Sequence, residues 1–419
     1  MIPLSADPML PQRDRLLNPV AAGALVERHF FRGRTRDGGA IRRVKYRVGE
    51  SLRVLYTARV DGIEETVSLR AFPLGNSVGS YRRVRAALNA AERSCGTSRY
   101  VAHEADDGVV LCRYPADRKL PFLPRHATDT AMLAELLPHE ELHVERCAYA
   151  PEKNATFSVH AGTSTLAYAK MHVPAVAGTA WRRHCALTRR ARAAGIKVPT
   201  TIGYLRNIST IVLESAEGIR FADLDAAALR ESVEAFGGAV ARLHRVPAPA
   251  DPFVRHRVSV LQRAVALVSA VRPELRRLAT EVLARLEDAV PAPGTPVCLH
   301  GDLHHKNVLS CRGRVALIDL DQGAAGPAAA DLGSYAASLR YAAIVGLVDP
   351  TEADRLIGRF LDGYGAIRPL PPEASLAWHT AAALVSERVL RAVNRVRIPG
   401  LMRLETLLLT AHGLLEARS

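Results

Sequence analysis

The sequence predicts an α+β protein, because strand patterns fill its first half and helical patterns fill its second. The strand patterns come in two runs, each with three strands, a helix and a closing pair of strands. The first run lies between residues 44 and 114, and the second lies between residues 144 and 214. After Ala216 helical periodicity continues to the C-terminus, interrupted by one β-rich island at residues 297–318.

Within the first run, the turn signals Gly49-Glu50 and Asp61-Gly62 separate patterns of β-branched and apolar residues. Its predicted strands are residues 44–48, 52–60, 66–72, 100–103 and 108–114, with a helix at 80–94. The second run predicts strands at 144–149, 156–160, 166–173, 200–205 and 209–214, with a helix at 179–194. The runs align with Tyr46 beside Tyr149 and Arg70 beside Lys170, which an internal duplication or a chance match of two β-meanders would explain.

The helical half of the chain predicts six helices. They are expected at residues 224–243, 259–286, 329–347, 352–365, 374–393 and 401–416. A chain of 419 residues exceeds the usual size of one domain, so several folding units are expected. The patterns divide the chain into an N-terminal extension (1–40), a β-rich extra domain (41–142), a small β-rich unit (143–215) and a mostly helical unit (216–419).

The composition excludes several classes of protein. With 48% hydrophobic and 23% charged residues, the chain is typical of a globular protein and unlike a disordered or fibrous one. No run of about 18 uninterrupted apolar residues occurs, and Asp7 and Arg13 stand where a secretory signal needs an apolar block. We therefore expect a cytoplasmic protein with no membrane partner. The six cysteines are scattered without a CxxC pair, which argues against a disulfide or zinc framework.

The net charge of +14 favours anionic ligands only weakly, because the basic residues are spread along the chain without a basic tail. We therefore expect no nucleic-acid partner. Of the 56 Lys and Arg residues only six are lysine, so each lysine is informative: arginine would serve wherever charge alone mattered.

The β-rich island holds the densest polar chemistry in the chain. Short apolar strands flank a loop that contains Asp302 and Asn307, and a further apolar strand ends at Asp319. This layout predicts that the three side chains converge at the mouths of neighbouring strands. Carboxylate and amide oxygens suit Mg²⁺ that is held together with phosphate oxygens. One acid must remain free of the metal to orient and deprotonate an incoming hydroxyl.

The run His300-Gly301-Asp302, with Asn307 five residues later, and the pair Ile318-Asp319 resemble two motifs of the aminoglycoside phosphotransferase and choline kinase family. That family is a branch of the protein-kinase-like fold. The resemblance covers roughly residues 143–395 and implies a two-lobe fold, to which residues 41–142 add a β-rich domain similar to a degenerate small lobe. It implies that Asp302 is the catalytic base, that His300 braces the loop, and that Asn307 and Asp319 bind Mg²⁺.

The resemblance also implies a site for ATP or GTP. Lys170 falls on the third strand of the small lobe, where the family keeps the lysine that grips the α and β phosphates. Glu214 and Ala216 lie in a segment that looks like the hinge holding the purine. The helix after Lys170 contains no acidic residue between 179 and 197, which departs from the family pattern. Either another segment supplies the carboxylate or Lys170 is held differently.

The resemblance implies that Tyr364 and Glu387, in the C-terminal helices, are acceptor-site candidates, and Asp321, beside the metal ligands, is a further one. Arg388 and Arg391 are candidates for a different reason: with Arg395 they fall at i, i+3 and i+7 on one face of a predicted helix, which either meets the acceptor or is a solvated basic face. Residues 332–419 contain ten Arg against eight Asp and Glu, which favours a neutral or anionic acceptor over a polycationic one.

The leading interpretation is a kinase that phosphorylates a hydroxyl of a small molecule such as a sugar, nucleoside or antibiotic. The alternatives are a peptide Ser/Thr kinase of a natural-product pathway and a non-catalytic nucleotide-binding scaffold. The presence of Asp302, Asn307 and Asp319 argues against the scaffold.

Overall fold

The computed structural model describes residues 3–95, 100–123, 131–138, 141–311 and 313–416. Two five-stranded antiparallel sheets are followed by a mostly helical region, which confirms the predicted α+β class. Within the described ranges, no helix combines the length and the apolarity that crossing a bilayer requires.

The first sheet is built by strands β1 to β5 in the order β1-β2-β3-β5-β4. Its strands are β1 (Arg36–Arg47), β2 (Ser51–Val60), β3 (Ile63–Ala71), β4 (Val101–Glu104) and β5 (Val109–Arg113). Helices Arg13–Leu16 and Pro19–Phe30 precede the sheet, and helix Ser77–Cys95 follows β3. Asp61 and Gly62 both have positive φ, so the turn signal between β2 and β3 forms a tight hairpin of the kind that matches strand twist.

The second sheet has the same strand order, β6-β7-β8-β10-β9. Its strands are β6 (His143–Ala150), β7 (Asn154–Ala161), β8 (Ser164–His172), β9 (Thr201–Leu205) and β10 (Thr210–Glu214). Helix Pro174–Ala193 follows β8, at the position that helix Ser77–Cys95 occupies after β3. Counted from the first hairpin of each sheet, Tyr46 matches Tyr149 and Arg70 matches Lys170.

One aspartate before each sheet holds the first hairpin in the same way. Asp7 Oδ2 accepts hydrogen bonds from the Tyr46 hydroxyl (2.6 Å) and the Gly49 amide (2.9 Å). Asp117 Oδ2 accepts them from the Tyr149 hydroxyl (2.7 Å) and the Glu152 amide (2.7 Å). Each aspartate lies in an Ala-Asp-x-x-Leu-Pro segment, at residues 6–11 and 116–121. Shared topology, register and anchoring favour duplication over a chance match of meanders.

The helical region begins after β10 and contains five more short strands. The strands are β11 (Ile219–Arg220), β12 (Val297–Leu299), β13 (Val308–Cys311), β14 (Arg314–Leu317) and β15 (Ala324–Gly326). The main helices are Ala226–Leu243, Val258–Val271, Arg276–Asp288, Ala328–Ile344, Pro350–Gly365, Glu373–Ala383, Leu390–Arg395 and Leu404–Glu416. A π-helical turn, Leu384–Val389, joins Glu373–Ala383 to Leu390–Arg395. The single helix expected at 259–286 was wrong: Pro273 has no amide hydrogen to donate, and a 3₁₀ turn separates two helices there.

The apolar core of the first sheet is continuous with the C-terminal helices. Leu52 and Tyr56 of β2 belong to the same buried cluster as Leu404 and Trp378. Leu10 and Leu16 belong to it as well, and β1 already begins at Arg36, so the residues before 41 fold with this sheet. The first sheet is therefore packed against the helical region.

A second core fills the helical region itself. Helices Ala226–Leu243 and Pro350–Gly365 approach so closely that a Cβ on Gly237 would stand 2.0 Å from the Phe360 carbonyl oxygen. A Cβ on Gly363 would stand 2.0 Å from the Glu234 carbonyl oxygen. Because only glycine permits this spacing, the two helices pack with their backbones in close contact.

Candidate active site

The loop between β12 and β13 carries the polar residues that the sequence singled out. It turns at Gly301, whose φ is +77°. A Cβ at Gly301 would stand 2.1 Å from the Gln322 carbonyl oxygen, so both the backbone conformation and the available space require glycine. The residue that follows this turn is Asp302, which lines the cavity described below.

Asp331, in the first turn of helix Ala328–Ile344, holds the loop in place. Its carboxylate accepts hydrogen bonds from the amides of His300 (2.7 Å) and Gly301 (2.9 Å) and from His244 Nε2 (3.2 Å). Burial opposes its charge, but these partners lower the pKa of Asp331 below its ordinary value. His300 Nε2 in turn donates to the Ile318 carbonyl oxygen (3.0 Å). His300 therefore joins the loop to the strand end that presents Asp319.

The two carboxylate oxygens of Asp302 have different surroundings. Oδ1 accepts hydrogen bonds from Arg255 Nη1 (2.8 Å) and Arg391 Nη2 (3.0 Å). Oδ2 faces His304 Nε2 at 3.9 Å. Burial opposes the charge on Asp302, but the two arginines hold the pKa of its carboxyl well below its usual range. Asp302 is therefore an oriented carboxylate with Oδ2 turned away from the arginines.

Glu387 lies behind Arg255 and does not line the cavity, so the structure does not bring it to the place where the sequence predicted an acceptor residue. The side chain is 3% exposed, and Oε1 lies 3.7 Å from Arg255 Nη1 and 3.4 Å from His256 Nε2. It also accepts a hydrogen bond from the Ser334 hydroxyl (3.0 Å). A buried carboxylate needs such partners, and these leave Glu387 to position Arg255.

Lys170 is paired with two carboxylates, Asp319 and Asp321, in the segment that follows β14. Its Nζ lies 2.8 Å from Asp319 Oδ1 and also binds Asp321 Oδ2. Burial disfavours the ammonium, but Asp321 and Asp319 raise the pKa of Lys170 above its ordinary value. His184 of helix Pro174–Ala193 lies 4.0 Å from Asp321, on the helix where the sequence lacks an acid. The missing carboxylate therefore comes from another segment, the first of the two alternatives that the sequence left open.

The donor set at this place suits a hard divalent cation. Asp319 has a left-handed backbone (φ 60°, ψ 50°), which is uncommon outside glycine and is found at functional sites. Its side chain is 46% exposed. Asn307 is buried and its Nδ2 donates to the Asp302 carbonyl oxygen (2.9 Å), so its amide oxygen is the atom that suits a metal. In the part of the chain that the structure describes, no group of three or more His, Cys, Asp or Glu forms a metal site. Mg²⁺ would therefore rely on phosphate and water oxygens for the remaining positions.

A cavity of ≈ 830 Å³ connects these residues. Both sheets, the loop that carries Asp302 and the C-terminal helices form its walls. Its polar lining includes Lys170, Arg255, Asp302, Asp319, Asp321, Gln322 and Arg391. The first sheet contributes Arg42, Arg43, Thr57, Glu64 and Thr66. The first sheet thus forms part of the cavity wall.

The turn between β6 and β7 is clamped to the first sheet by Glu152. Its carboxylate binds Arg53 (2.8 Å), Arg70 (2.6 Å) and Arg118 (2.5 Å), and its backbone has φ 58°. Burial would raise the pKa of Glu152, but Arg118, Arg53 and Arg70 lower it to about 2. Arg70, the counterpart of Lys170 in the first sheet, therefore positions this turn and does not line the cavity.

The other acceptor candidates divide into two groups. Asp321 and Arg391 line the cavity. Tyr364 does not line the cavity, because it is fully buried and its hydroxyl donates to His244 Nδ1 (2.9 Å). Arg388 is also absent from the lining, because its guanidinium turns inward and donates to the Ser334 carbonyl oxygen (3.3 Å).

Glu214 and Ala216 lie at the junction of the second sheet and the helical region. They line a separate pocket of ≈ 380 Å³ that shares no residue with the main cavity. The Glu214 carboxylate accepts hydrogen bonds from the Thr200 amide (3.2 Å) and Arg192 Nη1 (3.5 Å). The structure therefore brings Lys170, Asp302, Asn307 and Asp319 together but leaves these two residues apart.

The sequence reasoning missed Arg255 and the clamp on Glu152. Arg255 lies in a loop between two helices, where no periodicity distinguishes it from the other arginines. The clamp was detectable in part, because the repeated Ala-Asp-x-x-Leu-Pro segments locate the turn that carries Glu152.

A kinase-like phosphotransferase is the class of protein that this fold and loop define. The model of the phosphotransferase enzyme family matches residues 154–376, more than half of the chain, and the chain belongs to that family. No curated protein is similar enough in sequence to count as a relative.

Solved structures show the same fold. A thermostable mutant of the aminoglycoside phosphotransferase APH(4)-Ia, in a ternary complex with ADP and hygromycin B, has a TM-score of 0.51 and 10% identity, covering 69% of this chain and 99% of that chain. A thermostable mutant of that enzyme in its apo form has a TM-score of 0.51 and 13% identity, covering 68% and 98%. Choline kinase from Cryptosporidium parvum has a TM-score of 0.49 and 15% identity, covering 66% and 90%. At these identities the likeness to the two APH(4)-Ia structures establishes the fold alone and leaves the acceptor open.

Proposed function

We propose that this protein transfers the γ-phosphoryl group of Mg²⁺-bound ATP or GTP to a hydroxyl of a small molecule. The observation that carries the proposal is the convergence of Asp302, Lys170 and Asp319 on one cavity, with the braced loop behind Asp302. The structural neighbour that holds ADP and hygromycin B together supports a nucleotide and an acceptor in the same fold.

The proposed reaction is a direct in-line transfer. The acceptor oxygen forms a bond to the γ-phosphorus while the bond between that phosphorus and the β–γ bridging oxygen breaks, and the nucleoside diphosphate leaves. Asp302 Oδ2 accepts the hydroxyl proton, because Oδ1 is occupied by Arg255 and Arg391. Catalysis in such transfers comes mainly from positioning and charge neutralisation, which the rigid loop supplies.

Lys170, Asn307 and Asp319 are assigned to the nucleotide. Lys170 Nζ, held at Asp319 and Asp321, presents its charge to the phosphates. Asn307 and Asp319 would hold Mg²⁺, which neutralises phosphate charge when it is bound. The backbone of the junction at Glu214 and Ala216, where β10 ends, is assigned to the purine.

The decisive experiment measures acceptor-dependent release of nucleoside diphosphate from the purified full-length chain. Sugars, nucleosides, aminoglycosides and Ser/Thr peptides are compared as acceptors with ATP and with GTP. Turnover with a small hydroxyl compound supports the proposal, whereas turnover with peptides alone would establish the peptide kinase. Tight binding of a non-hydrolysable nucleotide with no turnover on any acceptor would favour the scaffold.

Lys170 and Arg70 provide a matched pair, because the register of the two sheets makes them equivalent. Lys170→Ala should weaken nucleotide binding by about tenfold or more, since it removes the cation next to Asp319. Arg70→Ala should leave nucleotide affinity nearly unchanged, because Glu152 keeps Arg53 and Arg118. Its expected effect is a lower Tm. Calorimetric titration and thermal unfolding separate the two results, and the reverse ranking would mean that the wrong sheet has been assigned to the nucleotide.

A further inference from the structure

A group of cations surrounds a small pocket beside the catalytic cavity. The pocket measures ≈ 40 Å³, which by volume is enough for about three ordered waters or one small anion. Its lining consists of Arg43, Lys45, Arg53, Leu55, Ala150, Pro151, Lys153 and Arg395. Four of these residues, Arg43, Leu55, Lys153 and Arg395, also line the main cavity, so the two spaces adjoin. The small pocket thus has five cationic residues and no acidic one.

Most of these cations are not paired with a carboxylate, although Asp319 attracts Lys153 at longer range. Arg53 is paired with Glu152. Across the described ranges, no carboxylate forms an ion pair with Arg43, Lys45, Lys153 or Arg395, and no oxygen accepts a hydrogen bond from their side chains. In another part of the protein, partly buried arginines are paired: Arg53, Arg70 and Arg118 share the buried carboxylate of Glu152.

Such a cluster is unfavourable without an anion. Burial and the neighbouring cations Arg53, Arg47 and Arg395 lower the pKa of Lys45 to about 8. Burial and neighbouring cations also lower the pKa of Lys153 and of Arg395. Like charges held close together and partly removed from water repel one another, and a bound anion would relieve that repulsion.

We propose that the acceptor carries an oxyanion group, such as a phosphate monoester, in addition to the hydroxyl that is phosphorylated, and that Arg43, Lys153 and Arg395 bind this group. The inference rests on the proposed phosphotransferase function and specifies its substrate class. It assigns the first sheet a part in substrate recognition, because Arg43 lies on β1.

Two of the three cations lie outside the elements assigned to the nucleotide. Arg43 belongs to the first sheet, and Arg395 ends helix Leu390–Arg395. Arg391 lies one helical turn before Arg395 and contacts Asp302. Four residues of helix rise about 6 Å, so the anionic group and the reacting hydroxyl are expected roughly that far apart. A sugar phosphate has this size and charge.

The first test measures binding of inorganic phosphate to the full chain by calorimetry, with and without saturating Mg²⁺ and a non-hydrolysable nucleotide. We expect phosphate to bind in both conditions. Arg395→Gln and Arg43→Gln should each weaken phosphate binding by about tenfold and leave nucleotide affinity unchanged. Arg403→Gln, which removes an exposed arginine outside both pockets, is the matched control and should change neither.

Three outcomes overturn the inference: no phosphate binding, phosphate displaced by the nucleotide, or nucleotide affinity reduced by both variants. The last two would assign the cluster to the nucleotide phosphates. The proposed function has its own test: it would be contradicted if the wild-type chain bound no nucleotide or showed no turnover with any acceptor. Using two variants from different elements keeps the test valid if one of them does not fold.

The second test compares each neutral sugar or polyol with its phosphate monoester as acceptor. We expect kcat/KM to be at least about tenfold higher for the phosphate monoester, and this ratio to fall toward one in Arg395→Gln. Equal or better turnover of the neutral compound would overturn the inference while leaving the phosphotransferase function intact.

Discussion

Replacing Asp302 by Asn is expected to lower kcat by about 10² or more while leaving binding of the Mg²⁺-bound nucleotide almost intact. The reason is that Asp302 acts on the acceptor hydroxyl, mainly at the transition state, and is not assigned to the metal. Asn keeps Oδ1 for Arg255 and Arg391 but places an uncharged NH₂ group at the position of Oδ2. The variant therefore tests the chemistry of Oδ2 with little change in shape.

This result is measured by steady-state turnover beside calorimetric titration of a non-hydrolysable nucleotide. Asp354→Asn is the matched control, because Asp354 forms a surface ion pair with Arg340 (3.3 Å) and does not line the cavity. Thermal unfolding of both variants shows whether the loss of negative charge beside Arg255 and Arg391 changes the stability of the protein. Near-wild-type turnover of Asp302→Asn would exclude Asp302 as the base and with it the mechanism derived above.

Asp319→Asn is expected to weaken Mg²⁺-dependent nucleotide binding by about tenfold or more and to lower turnover as well. It removes a charged oxygen assigned to the metal and the carboxylate at 2.8 Å from Lys170. Lys170 keeps Asp321 as a partner, so its orientation should survive. The loss is therefore expected chiefly in the metal-dependent part of nucleotide affinity.

Asn307→Ala should resemble Asp319→Asn more than Asp302→Asn, with partial rescue by high Mg²⁺ or by Mn²⁺. Nucleotide titrations at several metal concentrations measure both variants. If Asp319→Asn bound the nucleotide with the same metal dependence as the wild-type chain, the metal assignment of Asp319 would be wrong.

Local sequence patterns were sufficient to predict most strands and helices, because turn chemistry and hydrophobic periodicity depend on neighbouring residues. The signals Gly49-Glu50 and Asp61-Gly62 located the first two turns, and β2 and β3 lie close to their predicted positions. β1 does not, because it begins at Arg36, well before the predicted start at residue 44. The predicted helix at 259–286 failed where a single Pro273 outweighed an otherwise continuous apolar periodicity. Strand register then made Arg70 the counterpart of Lys170, as the alignment of the two runs had indicated.

The polar loop was also visible in sequence, since His300, Asp302 and Asn307 lie within eight residues. Acceptor residues were harder to predict. Tyr364 and Glu387 have suitable chemistry, but helix packing turns both into the interior. A sequence pattern reports which residues share a helix face and not what that face meets.

By itself, the sequence determined the α+β class, the repeated order of strands and the polar loop that carries Asp302, because hydrophobic period, turn chemistry and motif spacing are properties of neighbouring residues. Only the tertiary structure decided which distant charges meet. It placed Asp319 and Asp321 on Lys170, Arg255 and Arg391 on Asp302, and three arginines on Glu152. Contacts between residues tens to hundreds of positions apart depend on how sheets and helices pack, and electrostatic energy depends on the resulting distances and burial.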